Sequence, residues 1–364
     1  MKKILFATTA LVATAGFAAA EGVKITGSAE MGIFGGERHG GDNDGAQFHT
    51  DVDVRFGFSG EADNGLSFGG SIDLDESDGS GKFKNDDEVQ GLEDASNIVD
   101  DVNGIVGEVN DILGGVDVAG SSGAFGADKQ GGETIFVSFG GATLTMGDTD
   151  GAFDKAMREV NVAAGSIADD ETEHAGFNAN AGLDGTFDGQ IVRFDYAFGS
   201  FTGSISAEAD DGRDVDDGGP VLGLGVAYST ELAGVTLGVG LGYQSQEAEG
   251  DLLGISLDTT FNNGIIAAIN YSQLDFDASG LDNQTHVGIG LGYQMNALSI
   301  GVNYGEVDNV AGADGDSQSG FGLAAAYDLG GGLTAQFGFG SSNTDIGGVD
   351  NDSDSYSLGL SMSF

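Results

Sequence analysis

Val287-Gly-Ile-Gly-Leu-Gly-Tyr-Gln-Met295, then Asn296-Ala297, then Leu298-Ser-Ile-Gly-Val-Asn-Tyr304 is the stretch that decides the fold. Val287, Ile289, Leu291, Tyr293 and Met295 occupy every second position, with only Gly and Gln between them. Leu298, Ile300, Val302 and Tyr304 repeat the pattern against Ser, Gly and Asn. Period two puts the large apolar side chains on one face of a strand and the small or polar ones on the other. Two such runs joined by two residues read as a β-hairpin.

The same unit recurs in both directions. Downstream, Phe321 to Leu329 leads through Gly330-Gly-Gly332 into Leu333 to Phe339, and the run Tyr356, Leu358, Leu360, Met362, Phe364 ends the chain. Upstream, Ile255 to Phe261 turns at Asn262-Asn-Gly264 into Ile265 to Tyr271, and Leu222 to Tyr228 turns at Glu231-Leu-Ala-Gly234 into Val235 to Tyr243. Shorter hairpins pair Gln190–Phe198 with Phe201–Glu208, Thr134–Phe139 with Ala142–Gly147, and Val52–Phe58 with Leu66–Leu74. A lone strand, Val23 to Ile33, opens the series. The total is sixteen strands, the first and last alone and the rest in seven hairpins. Turns are short at one end. The other connections, 210–219, 246–251, 275–283, 307–319 and 343–353, are read as longer acidic loops. An even strand number with short turns on one rim and long loops on the other predicts an all-β, 16-stranded antiparallel transmembrane β-barrel of the bacterial outer membrane. The aromatic-bearing face then meets lipid, and the face of Gly, Ser, Thr, Gln, Asn and Asp is too small and polar for a packed interior, so it lines water. A soluble all-β or solenoid protein is the competing fold.

Composition supports this and excludes other classes. The chain has 67 Gly, 1 Pro, no Cys and no Trp, and a formal charge of −47. So acidic a chain excludes nucleic acid as a partner, since phosphate contact needs clustered Lys and Arg. With no cysteine there are no disulfides. Lys2-Lys3, the apolar run Ile4 to Phe17 and Ala18-Ala19-Ala20 read as a signal peptide over 1–20, leaving 21–364 as the barrel. Beyond it no run approaches the ~18 apolar residues of a transmembrane helix. An enzyme is not expected: His39, His49, His174 and His286 lie in loops or at strand starts, and there is no Gly-x-Ser-x-Gly elbow.

Two segments break the alternation. In 75–132, a long second loop, Ile98, Val102, Ile105, Val109 and Ile112 fall at helical spacing, which predicts an amphipathic helix near Asp94–Leu113, either a lid, a subunit contact or a helix packed on its own rim. The second break, 148–190, follows the strand Thr143-Leu-Thr-Met-Gly-Asp148, and within it 148–159 is read as a short helix. It is expected to fold inward as a third loop that narrows a pore. Asp148, Asp150, Asp154 and Glu159 are its candidate acids. Lys24, Arg55 and Arg193, each on the polar side of its strand, are the candidate wall bases. Acids facing bases would set a transverse field and an ion preference. Lys155 and Arg158 narrow the acidic margin, so the expected preference is moderately for cations. A wall arginine that merely pairs with Asp53 or Asp195 is the plainer alternative.

No cofactor is expected. The only metal candidates are calcium carboxylates at Asp350, Asp352 and Asp354, and Asp42-Asn-Asp-Gly45 is a similar fragment. An EF-type loop carries Glu at its twelfth position, and here that position is Ser361.

Several stretches also resemble a known family, the trimeric general porins of alphaproteobacteria of the Rhodobacter type. They are Glu21-Gly-Val-Lys-Ile-Thr-Gly27, Arg55-Phe-Gly-Phe-Ser-Gly60 through Gly65-Leu-Ser-Phe-Gly-Gly70, Thr143-Leu-Thr-Met-Gly-Asp148 and the terminal Phe364. The resemblance implies an inward third loop at the constriction, a homotrimer latched by the second loop, and passive diffusion of ions and small hydrophilic solutes. The second loop here is longer than that family's latch. The alternative function is a non-channel structural or adhesive outer-membrane barrel.

Overall fold

The computed structural model describes residues 22–37, 46–75, 129–168, 170–185, 190–209 and 219–364. The expected signal peptide, the helix near Asp94–Leu113, most of the second loop and the Asp42–Gly45 fragment lie outside them.

Sixteen strands follow in chain order: β1 (Gly22–Gly36), β2 (Gln47–Glu61), β3 (Ser67–Asp75), β4 (Lys129–Phe139), β5 (Ala142–Gly147), β6 (Ile191–Phe198), β7 (Phe201–Glu208), β8 (Val221–Leu232), β9 (Val235–Gln246), β10 (Gly250–Phe261), β11 (Ile265–Phe276), β12 (Gln284–Met295), β13 (Leu298–Asp308), β14 (Ser317–Gly330), β15 (Leu333–Ile346) and β16 (Val349–Ser363). Each pairs antiparallel with its chain neighbour. The ring closes where β1 pairs β16, with Met31 opposite Leu360 and Gly32 opposite Gly359. Closure leaves no open edge, which a sheet in lipid requires. Among the described residues no helix is long and apolar enough to cross a membrane, a statement that says nothing of strands.

The two faces are sorted as the alternation predicts. In β9, Tyr243 is exposed while Gln244 beside it is fully buried; in β10, Leu253, Ile255 and Leu257 are exposed while Leu252, Gly254 and Ser256 are not. Outward rows grade from aliphatic to aromatic to acidic toward the rim opposite the tight turns. In β13 the row runs Ile300, Val302, Tyr304, Glu306, with the Tyr304 hydroxyl donating to Glu306 at 2.9 Å. Tyr243 donates likewise to Asp251 at 2.7 Å. Strands β8 to β12 each have 12 residues, slightly more than the ~9–11 a tilted strand needs to cross a bilayer.

Three expectations are corrected here. The connections at 246–251 and 343–353 are not long loops: β9 and β10 join through Glu247–Glu249, and β15 and β16 through Gly347-Gly348, both with positive φ. Acidic side chains do not end a strand whose outer part stands clear of lipid. As a result Asp350, Asp352 and Asp354 are not in a loop. They sit on one row of β16 above Tyr356, and Asn343 donates to Asp350 and Asp352 at 2.8 Å each. A strand spaces alternate residues well apart, unlike the wrap of a calcium loop, and no group of three or more metal-binding side chains is gathered among the described residues. Third, the helix read over 148–159 shrinks to α1 (Ala152–Ala156), a little over one turn.

Candidate functional site

An irregular segment such as 148–185 has no ladder to satisfy its backbone groups, so they must find side chains or water. Here the strands supply them. On the way out, Ala152 N–H donates to Ser206 of β7 at 2.8 Å, Arg158 N–H donates to Ser256 of β10 at 2.9 Å, and the Arg158 carbonyl accepts from Asn270 of β11 at 3.0 Å. Gln294 of β12 donates to the Ala163 carbonyl at 2.9 Å, and Ala168 N–H donates to Glu30 of β1 at 3.3 Å. On the way back, Asn303 of β13 donates to the Thr172 carbonyl at 2.8 Å and Ala175 N–H donates to Ser342 of β15 at 3.0 Å. Leu183 N–H then donates to Gln244 of β9 at 2.8 Å, and Gly185 N–H to Glu208 of β7 at 3.0 Å. The segment is thus an arm that goes out along the strands and returns. Each contact falls on the small-residue face.

Glycine makes this approach possible. A Cβ on Gly225 would strike the Ala152 carbonyl, on Gly240 that of Ala156, on Gly290 that of Val160 and on Gly301 that of Val162. On the return, Gly305 lies under Gly176 and Gly322 under Thr172. At the far end the Ile167 side chain sits over Gly32 of β1 and Gly359 of β16. One large anchor pins the near end. Phe153, fully buried, packs among Met157, Leu183, Val221 and Leu252 and lies over Gly242 and Gly254. The small-residue face is therefore partly a packed seat, not only a lining for water. The glycine signal was visible in the sequence, but its purpose depends on the path of 148–185.

The expected site residues separate into three groups. Arg193 is not a free wall base. It is 6% exposed, pairs with Asp195 at 3.1 Å, and donates to Thr149 at 3.3 Å and to the Asp150 carbonyl. It clasps the root of the arm. Arg55 pairs with Asp73 at 3.3 Å and donates to Ser71 at 2.8 Å, yet its side chain stays 56% exposed. Lys24 is exposed on β1 opposite Gly57, two positions nearer the tight-turn rim than the Arg55 level. The acids form the third group. Asp148 accepts from Gly132 N–H at 3.0 Å, and Asp148, Asp150 and Asp154 line an acidic recess of about 220 Å³ together with Asp184 and Glu208. Asp184 and Glu208 had drawn no attention in the sequence. Arg158, meanwhile, reaches from the arm to Asp258 on β10 at 3.4 Å, reversing the expected order of loop acid and wall base.

Burial, with neighbouring acids, raises the proton affinity of Asp154, Glu159 and Asp184. Burial, then Asp150, Glu159 and Asp184, push Asp154 up to about 8, against Arg193. Burial, then Glu173, raises Glu159 to about 7. Burial raises Asp184 to about 6, opposed by the Gly151 N–H it accepts. Burial followed by Arg193 lowers Lys155. Each acid therefore holds its proton more tightly in the packed arm than in an open chain. Their contribution to packing is whole below the ordinary carboxylate pKa of about 4 and is lost as pH rises through about 6, 7 and 8. The arm is expected to be cleaved faster by a protease active at both values at pH 9 than at pH 6, after correction for the protease's own profile; equal rates would show that these protons do not couple to packing.

A family model described as Gram-negative porin matches residues 7–360. A porin structure refined at 1.8 Å superposes with a TM-score of 0.60 at 20% identity, over 94% of this chain and all of that one. A triple mutant of Rhodopseudomonas blastica porin gives 0.58 at 15%, with the same coverage. No curated protein matches the chain in sequence.

Proposed function

Because this chain belongs to the Gram-negative porin family, a family of outer-membrane channels, we propose that it passes ions and small hydrophilic solutes passively, that residues 148–185 fold into the lumen and narrow it, and that it moderately prefers cations. The observation that carries the reading is the seat of that segment: its polar contacts all fall on the small-residue face of the strands, opposite the exposed apolar band. Water and ions then pass between the arm and the wall carrying Arg55 and Lys24. Asp150 is exposed on one side and Arg55 on the other, so polar solutes meet a transverse field that apolar ones cannot exploit. We further propose a homotrimer, as in the general porins this sequence resembles, with native sizing in mild detergent as its check.

Planar-bilayer recording of refolded protein tests the channel. Ohmic steps support it; silence from protein shown to be a folded barrel would favour a structural or adhesive role. Selectivity should depend on pH with a definite sign. Carboxylates that ionise at about 6, 7 and 8 add negative charge as pH rises, so the reversal potential should move toward cations between pH 5.5 and pH 9. Asp154→Asn should matter little at pH 6 and clearly at pH 9. Neutralising Asp148 with Asp154 should exceed neutralising Asp314 with Asp316 in the β13–β14 connection, because at ~8 Å screening distant charges fade. A flat pH profile would remove the acids of the arm from the selectivity step.

A further inference from the structure

The outward rows of the barrel differ around its circumference. On β9, β11 and β13 they end, toward the rim opposite the tight turns, in tyrosines that meet acids or amides. Tyr243 donates to Asp251 at 2.7 Å, Tyr271 to Gln273 at 3.1 Å and Tyr304 to Glu306 at 2.9 Å. Such a row of amphipathic rings and charges marks a border between lipid and water.

On β1 to β7 that border is missing. Val52, Val137, Leu144, Phe194 and Ile205 stand exposed on the outward rows. Among the described residues only Glu133, at the register shift between β3 and β4, interrupts rows otherwise free of Asp, Glu, Lys and Arg. Tyr196, the one tyrosine of these strands, lies near the tight-turn end of β6. Part of the wall is also low. Strand β5 has 6 residues and β6 and β7 have 8 each, against the ~9–11 that a tilted strand needs to cross a bilayer. A span too short for its bilayer is accommodated by thinning the lipid or by oligomerising.

We propose that the outward face of β1 to β7 is where a second copy of this chain docks. The inference rests on the homotrimer reading above and names its surface. Charge selects the occupant. The chain carries 59 Asp and Glu against 12 Lys and Arg, so two acid-bordered faces repel, while this face meets its like without setting charge against charge. The low wall of one copy also meets an equally low wall in the next, which lipid does not offer. A ring gives each copy two neighbours, and a convex face can meet them on its two flanks.

The test uses the lack of tryptophan in the chain. Phe194→Trp and Ile205→Trp on this face, and Leu257→Trp and Leu291→Trp across the barrel, each place a single tryptophan four residues from the tight-turn end of its strand. The full-length variants are refolded into vesicles of phosphatidylcholine brominated in its acyl chains, where bromine quenches tryptophan on contact. The β10 and β12 variants should lose most of their emission, and the β6 and β7 variants should keep most of theirs. In native sizing, Ile205→Asp should convert the oligomer to single copies, because its charge would be caught between them, while Leu257→Asp stays oligomeric. If Ile205→Asp does not fold, the tryptophan pairs decide. Equal quenching of both pairs in oligomeric protein, or a folded Ile205→Asp that stays oligomeric, would overturn the assigned face and leave the homotrimer reading standing. A parent protein that runs as single copies would overturn both.

Discussion

Phe153→Ala is expected to release the arm from its seat while leaving the barrel standing. Phe153 is the largest fully buried side chain among the described residues and packs in an apolar cluster with Met157 and Leu183 of the arm and Val221 and Leu252 of the wall, through side chains and not through ladder hydrogen bonds. Truncating a buried phenylalanine costs about 3–5 kcal/mol, or roughly a hundredfold or more in the population of the released state. The loss falls on a local unit, because the β-ladders on either side keep all their hydrogen bonds. Limited proteolysis within 150–185 should therefore accelerate strongly, and single-channel currents should become noisy, while barrel melting changes little. If cleavage and current noise both stay as in the parent, the anchor is elsewhere. Collapse of the whole barrel would mean that the arm and wall are one cooperative unit.

Gly290→Val together with Gly301→Val should act in the opposite sense, by crowding. The new Cβ atoms would meet the carbonyls of Val160 and Val162. Backbone cannot swing aside as a side-chain tip can, and overpacking of this kind costs about 1–3 kcal/mol per site. On the proposed arrangement the arm is pushed away from the wall and into the water path, so conductance falls. The control is Gly203→Val in β7, where a Cβ meets nothing within 4 Å. A fall of equal size in the control would attribute the effect to strand glycines in general. No fall in the double variant would show that the arm does not border the conducting path.

The strands were legible because local pattern decides them: Val287 to Met295 can satisfy lipid on one side and a small-residue face on the other only by alternating. Strand ends were less legible. Asp350, Asp352 and Asp354 read as loop because acids are poor strand formers in general, yet a strand that rises beyond the membrane meets water on its outer face. The site was legible only in part. The arm's acids stood out against a β pattern, and the pairing of Arg193 with Asp195, two residues on along β6, is the plainer alternative the sequence offered; its hold on Thr149 and the Asp150 carbonyl depends on the turn of the arm, which no local spacing encodes. Asp184 and Glu208 come together from a loop and a strand end. Phe153 is one of several large hydrophobes in the segment, with Met157, Ile167, Phe177 and Leu183, and no local spacing singles it out as the anchor.

The tip of the arm rests on the join between the chain's two ends. Ile167 covers Gly32 and Gly359, which face each other only because β1 and β16 are paired. In a folding chain that landing place does not exist until the first and last strands have met, the longest-range strand pairing among the described residues. Long-range pairings are slow to form, so the tip is expected to settle late in folding. A barrel that has not zipped shut can hold Phe153 in place while the tip has nowhere to land. Full docking of the tip therefore reports completed assembly: a fluorophore near residue 167 should reach its final environment last, and with the same rate constant as β1–β16 pairing.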